Sequence, residues 1–258
     1  MCGIIGYCGQ KPAVPIVLEA LKRLEYRGYD SAGVASLCDD RLLIRKDVGK
    51  VDEVIQKHNL ADLPGVIAIG HTRWATHGAV TQTNAHPHSD CGGRVAVVHN
   101  GIIENNQQLR QELIKMGHKF TSETDTELIP HLLEDELKNG CSLEQAVLHI
   151  APRLEGSYAF LVASFDDLGK VVGTRRNNPL IVGIDAPDYY VSSDALAFSQ
   201  YTNQVMNLED NEVVMLTQEG IEFFDAQGNK LVKQARKLDH GWAESHKGGY
   251  QHFMLKEI

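Results

Sequence analysis

The chain has 258 residues, 43% of them hydrophobic, enough for one large core or two modest ones. Acidic residues outnumber basic ones by 34 to 25, for a net charge of −9, and no Lys/Arg block exceeds a pair, which argues against nucleic acid or an anionic membrane as a partner. The opening Met-Cys-Gly-Ile-Ile-Gly lacks the basic and long apolar stretches of a secretory signal, and no apolar run approaches spanning length, so a cytoplasmic protein is expected. Its five cysteines (Cys2, Cys8, Cys38, Cys91, Cys141) are widely spaced and include no Cys-x-x-Cys pair, which fits neither a disulfide framework nor a thiolate zinc site.

In chain order, residues 2–8 (CGIIGYC) read as a short strand. Residues 14–26 then read as a helix, with Val14, Leu18 and Leu21 beside Ile16, Ala20 and Leu24 at helical spacing. Strands are expected over 33–37, 42–46, 66–70, 95–99 and 158–164, and again over 170–173, 180–184, 189–192, 205–208, 212–216 and 221–224. Helices are expected over 51–58, 105–115, 124–138 and 143–151, the third opened by the small polar and acidic residues from Ser122 to Asp125. Helices and strands come in batches, which favours an α+β arrangement with helices covering antiparallel sheets over a doubly wound parallel sheet. Residues 225–229 read as a turn and 237–249 as a polar linker, while 253–258 resume an amphipathic pattern without a cap. The expectation is one domain over 2–225, then a linker and the start of a further domain over 226–258.

The chemistry begins at Cys2. Once Met1 is trimmed, this residue owns a free α-amine, whose reference pKa of about 7.7 to 8 suits it to take the thiol proton as a general base. A cysteine at this position serves equally as a small buried residue opening a strand. His71-Thr-Arg-Trp-Ala-Thr-His-Gly78 follows an apolar strand and has the composition of a binding loop, in which Arg73 can grip a carboxylate through two parallel hydrogen bonds and Trp74 can wall a pocket. Asn100 and Gly101 offer a side-chain amide and a backbone N–H side by side, the donors an oxyanion needs, although Asn-Gly is also a hairpin dipeptide. Asp125 is either a first-turn acid or a partner for an ammonium group. Arg73 and Asp125 together describe a site for a free α-amino acid.

Three rival readings remain at this level. A zinc hydrolase could use His71, His77, His86, His88 or His99, but no His-Glu-x-x-His supports it. A Cys/His pair could use Cys2 or Cys91, though no spacing selects the histidine. A noncatalytic sugar-binding module would have no use for a thiol at a processed terminus.

Taken together, Cys2-Gly-Ile-Ile-Gly, Leu24-Glu-Tyr-Arg-Gly-Tyr-Asp-Ser-Ala-Gly33, His71-Thr-Arg-Trp-Ala-Thr-His-Gly78, Asn84-Ala-His-Pro-His88, Val98-His-Asn-Gly-Ile-Ile-Glu-Asn105 and Ser122-Glu-Thr-Asp-Thr-Glu127 resemble the glutaminase domains of the glutamine:fructose-6-phosphate aminotransferase family. This is the hexosamine branch of the class II, N-terminal-nucleophile amidotransferases. The motifs occur in the family's order over roughly residues 2–225, and 247–258 resembles the linker to its sugar-isomerase half.

The resemblance implies a four-layer αββα sandwich, two antiparallel sheets between helices, with no cofactor and no metal. It implies Cys2 as nucleophile, Asn100 and Gly101 as oxyanion hole, and Arg73, Trp74, Thr76, His77 and Asp125 as the L-glutamine pocket. Arg27 would support the nucleophile's surroundings, and the loop 73–80 would close over bound glutamine. It further implies a missing sugar-isomerase domain as partner and a homo-oligomeric full-length enzyme. The glutaminase half of an amidophosphoribosyltransferase-like enzyme is the alternative.

Overall fold

Several strands are apolar along their whole length, and the fold uses both of their faces. The computed structural model describes residues 2–38, 41–76 and 78–238. It opens with strand β1 (Gly3–Cys8), helix α1 (Ala13–Leu24), β2 (Ser31–Cys38), β3 (Arg41–Val48), helix α2 (Val51–His58), β4 (Ile67–Arg73), β5 (His88–Ser89) and β6 (Val95–Ile103). Three helices follow, α3 (Asn106–Lys115), α4 (Leu128–Lys138) and α5 (Leu143–Ile150). The rest is strands: β7 (Gly156–Ser164), β8 (Lys170–Arg176), β9 (Ile181–Asp185), β10 (Asp188–Ser192), β11 (Gln204–Asn207), β12 (Val213–Thr217), β13 (Gly220–Phe224), β14 (Lys230–Leu231) and β15 (Arg236–Lys237).

These make an eight-stranded sheet, β15-β11-β9-β10-β1-β4-β2-β3, and a seven-stranded sheet, β14-β13-β12-β8-β7-β6-β5, each with antiparallel neighbours. In β1, Ile4 and Cys8 enter the core between the sheets, while Ile5 and Tyr7 pack against α1. In β6, Ala96 and Val98 join the inter-sheet core, and Val95 and Val97 meet α3, α4 and α5. The molecule is therefore the expected αββα sandwich. Its central strands show no polar alternation because neither face meets water. Among the described residues no helix is long and apolar enough to cross a membrane.

The first helix forms because Val14, Val17, Leu18, Leu21 and Leu24 make one buried stripe, each fully buried aliphatic contributing about 1.5 to 3 kcal/mol. The second runs over its expected span. Glu53 reaches back to the Lys50 N–H at 3.2 Å to start it, and left-handed Asn59 ends it.

Most elements shift from their expected bounds by one to three residues, the first helix ending at Leu24 rather than 26 and β4 reaching Arg73 rather than 70, and two further differences bear on the site. Helix α4 starts at Leu128 rather than residue 124, because Glu127 folds back to accept hydrogen bonds from the Thr121 and Ser122 N–H groups at 2.8 and 2.7 Å and from both hydroxyls. Residues 121–127 are thus a closed loop, and Asp125 is not a first-turn acid. Strand β6 continues past residue 99 to Ile103, so Asn100 and Gly101 lie inside it and pair with Ala159 and Tyr158 of β7. Beyond residue 225, β14 and β15 add short pairings to β13 and β11. The expected start of a further domain over 247–258 lies outside the described residues.

Candidate active site

Register brings the sequence-predicted residues together. Gly3 pairs with Thr72, so one step earlier Cys2 faces Arg73, and on the other side of β4 Arg73 pairs with Ser31 of β2. The Trp74 N–H donates to the Cys2 sulfur at 3.2 Å, and the thiol faces the Trp74 carbonyl at 3.5 Å. Gly28 permits this approach: a Cβ there would lie 2.7 Å from the Arg73 carbonyl carbon. Two residues after Gly28, Asp30 accepts from the Ala75 N–H at 2.8 Å and steadies the start of the loop.

Arg27 holds the other side of Cys2. Its Nε donates to the Cys2 carbonyl at 3.2 Å, while a terminal nitrogen pairs with Asp194 at 3.1 Å. The Tyr26 hydroxyl and the Leu196 N–H converge on the same carboxylate, at 2.5 and 3.0 Å. Arg27 and Asp194 are both largely shielded from solvent, so removing either would leave an uncompensated charge.

From the second sheet, Asn100 Nδ2 donates to the Cys2 carbonyl at 3.1 Å. Its Oδ1 lies 3.2 Å from His71 Nε2, which also faces the His99 carbonyl at 3.0 Å. Burial pulls His71 down to about 3, so the ring is neutral, and two acceptors at Nε2 require the proton to sit there. The imidazole therefore fixes which way the Asn100 amide points. Gly101 follows at φ +118°, where a side chain would be strained and a Cβ would lie 2.0 Å from the Ser157 carbonyl oxygen.

Arg73 is buried, which pulls its guanidinium down, while Cys2, Asp30 and Asp125 act electrostatically in the opposite sense. Asp125 accepts from the Ile103 N–H at 2.8 Å, fastening the 121–127 loop to the end of β6. A cationic and an anionic side chain thus act on one another beside Cys2, Arg73 facing Cys2 across the strand pairing and Asp125 acting on Arg73, a pair of charges complementary to a zwitterion.

The loop after β4 is anchored at its far end. Arg73 and Asn84 both donate to the Ala79 carbonyl, at 3.3 and 3.0 Å, and Glu123 accepts from the Ala79 N–H at 3.2 Å. Between these anchors Trp74 is 45% exposed, its ring edge against Tyr29, and Thr76 is exposed. Trp74 therefore lies at the surface and outside the core. His77 lies outside the described residues.

Burial also determines the other cysteine and histidine readings. The Cys8 thiol lies in the inter-sheet core and is pushed up to about 12, which removes it as a nucleophile. His71 stacks on His86 with centroids 4.1 Å apart, and His88 meets His86 edge-on. His86 accepts from the His99 N–H at 3.3 Å, and His88 and His99 bond Thr124 and Thr126 at 3.1 and 2.8 Å. Burial lowers all four rings. They are neutral packing groups tying β4, β6 and the 121–127 loop together.

Sequence reasoning missed Asp194, the supporting role of His71, and the Asn84–Glu123 clamp. Asp194 carries no local signal, since it meets Arg27 only through the fold. His71 had one signal, two residues before Arg73 on the same apolar strand, but nothing in the sequence aimed it at Asn100.

Residues 71–200 match the family model for the glutamine amidotransferase domain. The chain belongs to that family. Over its whole length the amidotransferase chain is 47% identical to a glutamine--fructose-6-phosphate aminotransferase (isomerizing) of Pyrococcus horikoshii and 48% identical to one of Methanothermobacter thermautotrophicus. It spans 43% and 44% of the length of those two proteins. Among solved structures, a glutamine phosphoribosylpyrophosphate amidotransferase from B. subtilis matches 89% of the chain and 50% of its own, with TM-score 0.77 and 28% identity. The amidotransferase domain thus shares its fold with that enzyme and stands nearer in sequence to the two aminotransferases.

Proposed function

We propose that this amidotransferase domain hydrolyses L-glutamine to glutamate and ammonia, with Cys2 as nucleophile. The observation that carries the reading is the convergence on one residue, Cys2, of Arg73 from its own sheet and Asn100, through the Cys2 carbonyl, from the other. Burial raises the Cys2 thiol above its ordinary value, so a ready-made thiolate is scarce and a base is needed. With Met1 removed, the α-amine of Cys2 is that base. It takes the thiol proton as sulfur attacks the side-chain amide carbon; the amide oxygen becomes an oxyanion received by Asn100 Nδ2 and the Gly101 N–H. The C–N bond then breaks, the ammonium form of the amine returns its proton to the departing nitrogen, and ammonia leaves a γ-glutamyl thioester. Water adds to the thioester carbon, the C–S bond breaks, and glutamate departs with the thiol restored.

In this proposal Arg73 binds the glutamine carboxylate and Asp125 its ammonium, while Trp74, Thr76 and His77 close the loop over the substrate. Arg27 keeps the Cys2 backbone in place. The domain runs past the expected boundary at 225 through β14 and β15, and the chain after it leads into a sugar-isomerase domain that takes the ammonia to convert fructose 6-phosphate to glucosamine 6-phosphate. The full-length enzyme is a cytoplasmic homo-oligomer.

Two expected outcomes test the substrate contacts. Asn100→Ala should lower kcat by about 10² to 10³-fold, the usual effect of losing one oxyanion donor, with KM little changed. A kcat within threefold of the parent, measured as glutamate release, would remove Asn100 from the role. Glutaramate, which lacks the α-ammonium, should be hydrolysed with kcat/KM about 10 to 100-fold below glutamine. In Asp125→Asn that discrimination should shrink, and equal discrimination in both proteins would detach Asp125 from the ammonium.

A further inference from the structure

Away from Cys2, four side chains with metal-ligating atoms point at a common centre. Cys91 lies just past β5, His118 in the connection between α3 and α4, and His131 and Glu134 one turn apart on the same face of α4. The Cys91 sulfur is 3.8 Å from His118 Nδ1 and 3.6 Å from His131 Nδ1, and the two Nδ1 atoms are 3.3 Å apart. Glu134 Oε2 is 3.2 Å from His118 Nδ1 and 3.5 Å from His131 Nδ1. Ligand atoms placed tetrahedrally at zinc bond lengths of 2.0 to 2.3 Å stand about 3.3 to 3.6 Å from one another. The observed separations follow that pattern.

The Cys91 and Lys119 N–H groups donate to Glu134 Oε2 and to the Cys91 sulfur at 3.2 and 3.5 Å, which leaves the two facing Nδ1 atoms as the pair short of a proton. His118 Nε2 lies 3.2 Å from both oxygens of Asp135, so the ring donates there and turns the Nδ1 lone pair toward the cluster. Glu134 Oε2, an acceptor, faces that lone pair at 3.2 Å. Besides those backbone donors, a thiol hydrogen and one proton shared between the Nδ1 atoms would have to bridge the contacts among the four. A divalent cation satisfies the sulfur and both Nδ1 atoms at once, and beside Lys138, which pairs with the outer Glu134 oxygen at 2.6 Å, its charge compensates the thiolate and the carboxylate. The centre has a route from solvent, since Cys91 is exposed while His131 and Glu134 are buried.

We propose that Cys91, His118, His131 and Glu134 bind one Zn²⁺ in a closed, structural site. Thiolate and imidazole ligands select zinc over magnesium or calcium, and four protein ligands leave no open position for chemistry. The ion would clip the turn between β5 and β6 to the helix layer outside the second sheet, fixing the end of β6 remote from Asn100. Short-range spacing hides such a site. Only His131-x-x-Glu134 is visible locally, and the thiolate comes from residue 91.

A second group, Glu136, Cys141 and His149, serves as an internal control, because His149 and Glu136 already pair directly at 2.8 Å. The chain is stripped with chelator and titrated with Co²⁺. The expected result is saturation at about one ion per chain, with a thiolate-to-cobalt charge-transfer band and intense tetrahedral d–d absorption, all displaced by Zn²⁺. Cys91→Ser should remove the charge-transfer band, His131→Asn should cut bound metal at least tenfold, and Cys141→Ser should preserve both. Failure of the unmodified chain to develop the band would overturn the proposal even if a variant cannot fold, and so would a band that survives in Cys91→Ser.

Discussion

Replacing Cys2 with alanine is expected to lower glutamine hydrolysis by on the order of 10⁴ to 10⁶-fold, the scale on which removal of a covalent nucleophile acts. The same change should move the thermal midpoint by only a few degrees. Its sulfur makes one contact of hydrogen-bond length with the Trp74 N–H and a longer one with the Trp74 carbonyl, and Cys2 is only partly buried, so little packing is lost. Its backbone carbonyl, which Arg27 and Asn100 both hold, survives the substitution. The parallel change Cys8→Ala should do the reverse. That thiol is buried between the sheets and chemically silent, so its removal should cost stability through a small cavity and leave kcat within a few-fold. Glutamate release above about 1% of the parent rate in Cys2→Ala would contradict the assignment.

Much of the fold was legible because its signals are local. Helix α2 runs over its expected span of 51–58, and the first helix follows from one apolar stripe. The α+β class, with helices over antiparallel sheets, followed from strands and helices that come in batches, and the four-layer stacking was what the family resemblance implied. What failed was each point where a side chain from elsewhere overruled a local preference. The acids from Glu123 to Glu127 look like a helix start, yet Glu127 binds the Thr121 and Ser122 amides and delays the helix to Leu128. Asn100-Gly101 looks like a strand end, yet pairing with Ala159 and Tyr158 carries β6 through it.

The candidate site divides the same way. Arg73 and Asp125 could be paired from charge alone because a zwitterionic substrate needs both signs. Which atoms face Cys2 depends on the register of β1 against β4 and on the stacking of one sheet over the other, and neither is written in any short motif. Asp194 is 167 residues from the arginine it holds.

In the proposed mechanism Cys2 acts only as the first residue, because only then does its nitrogen titrate. With Met1 in place that nitrogen is an amide, and losing the base should lower kcat by about 10² to 10⁴-fold. The most direct test makes the chain with a cleavable extension placed immediately before Cys2, then follows intact mass and glutamate release in the same sample as the extension is removed. Activity should rise in proportion to the fraction of chains beginning at Cys2. Full turnover in a sample whose every chain still carries a residue before Cys2 would contradict the mechanism.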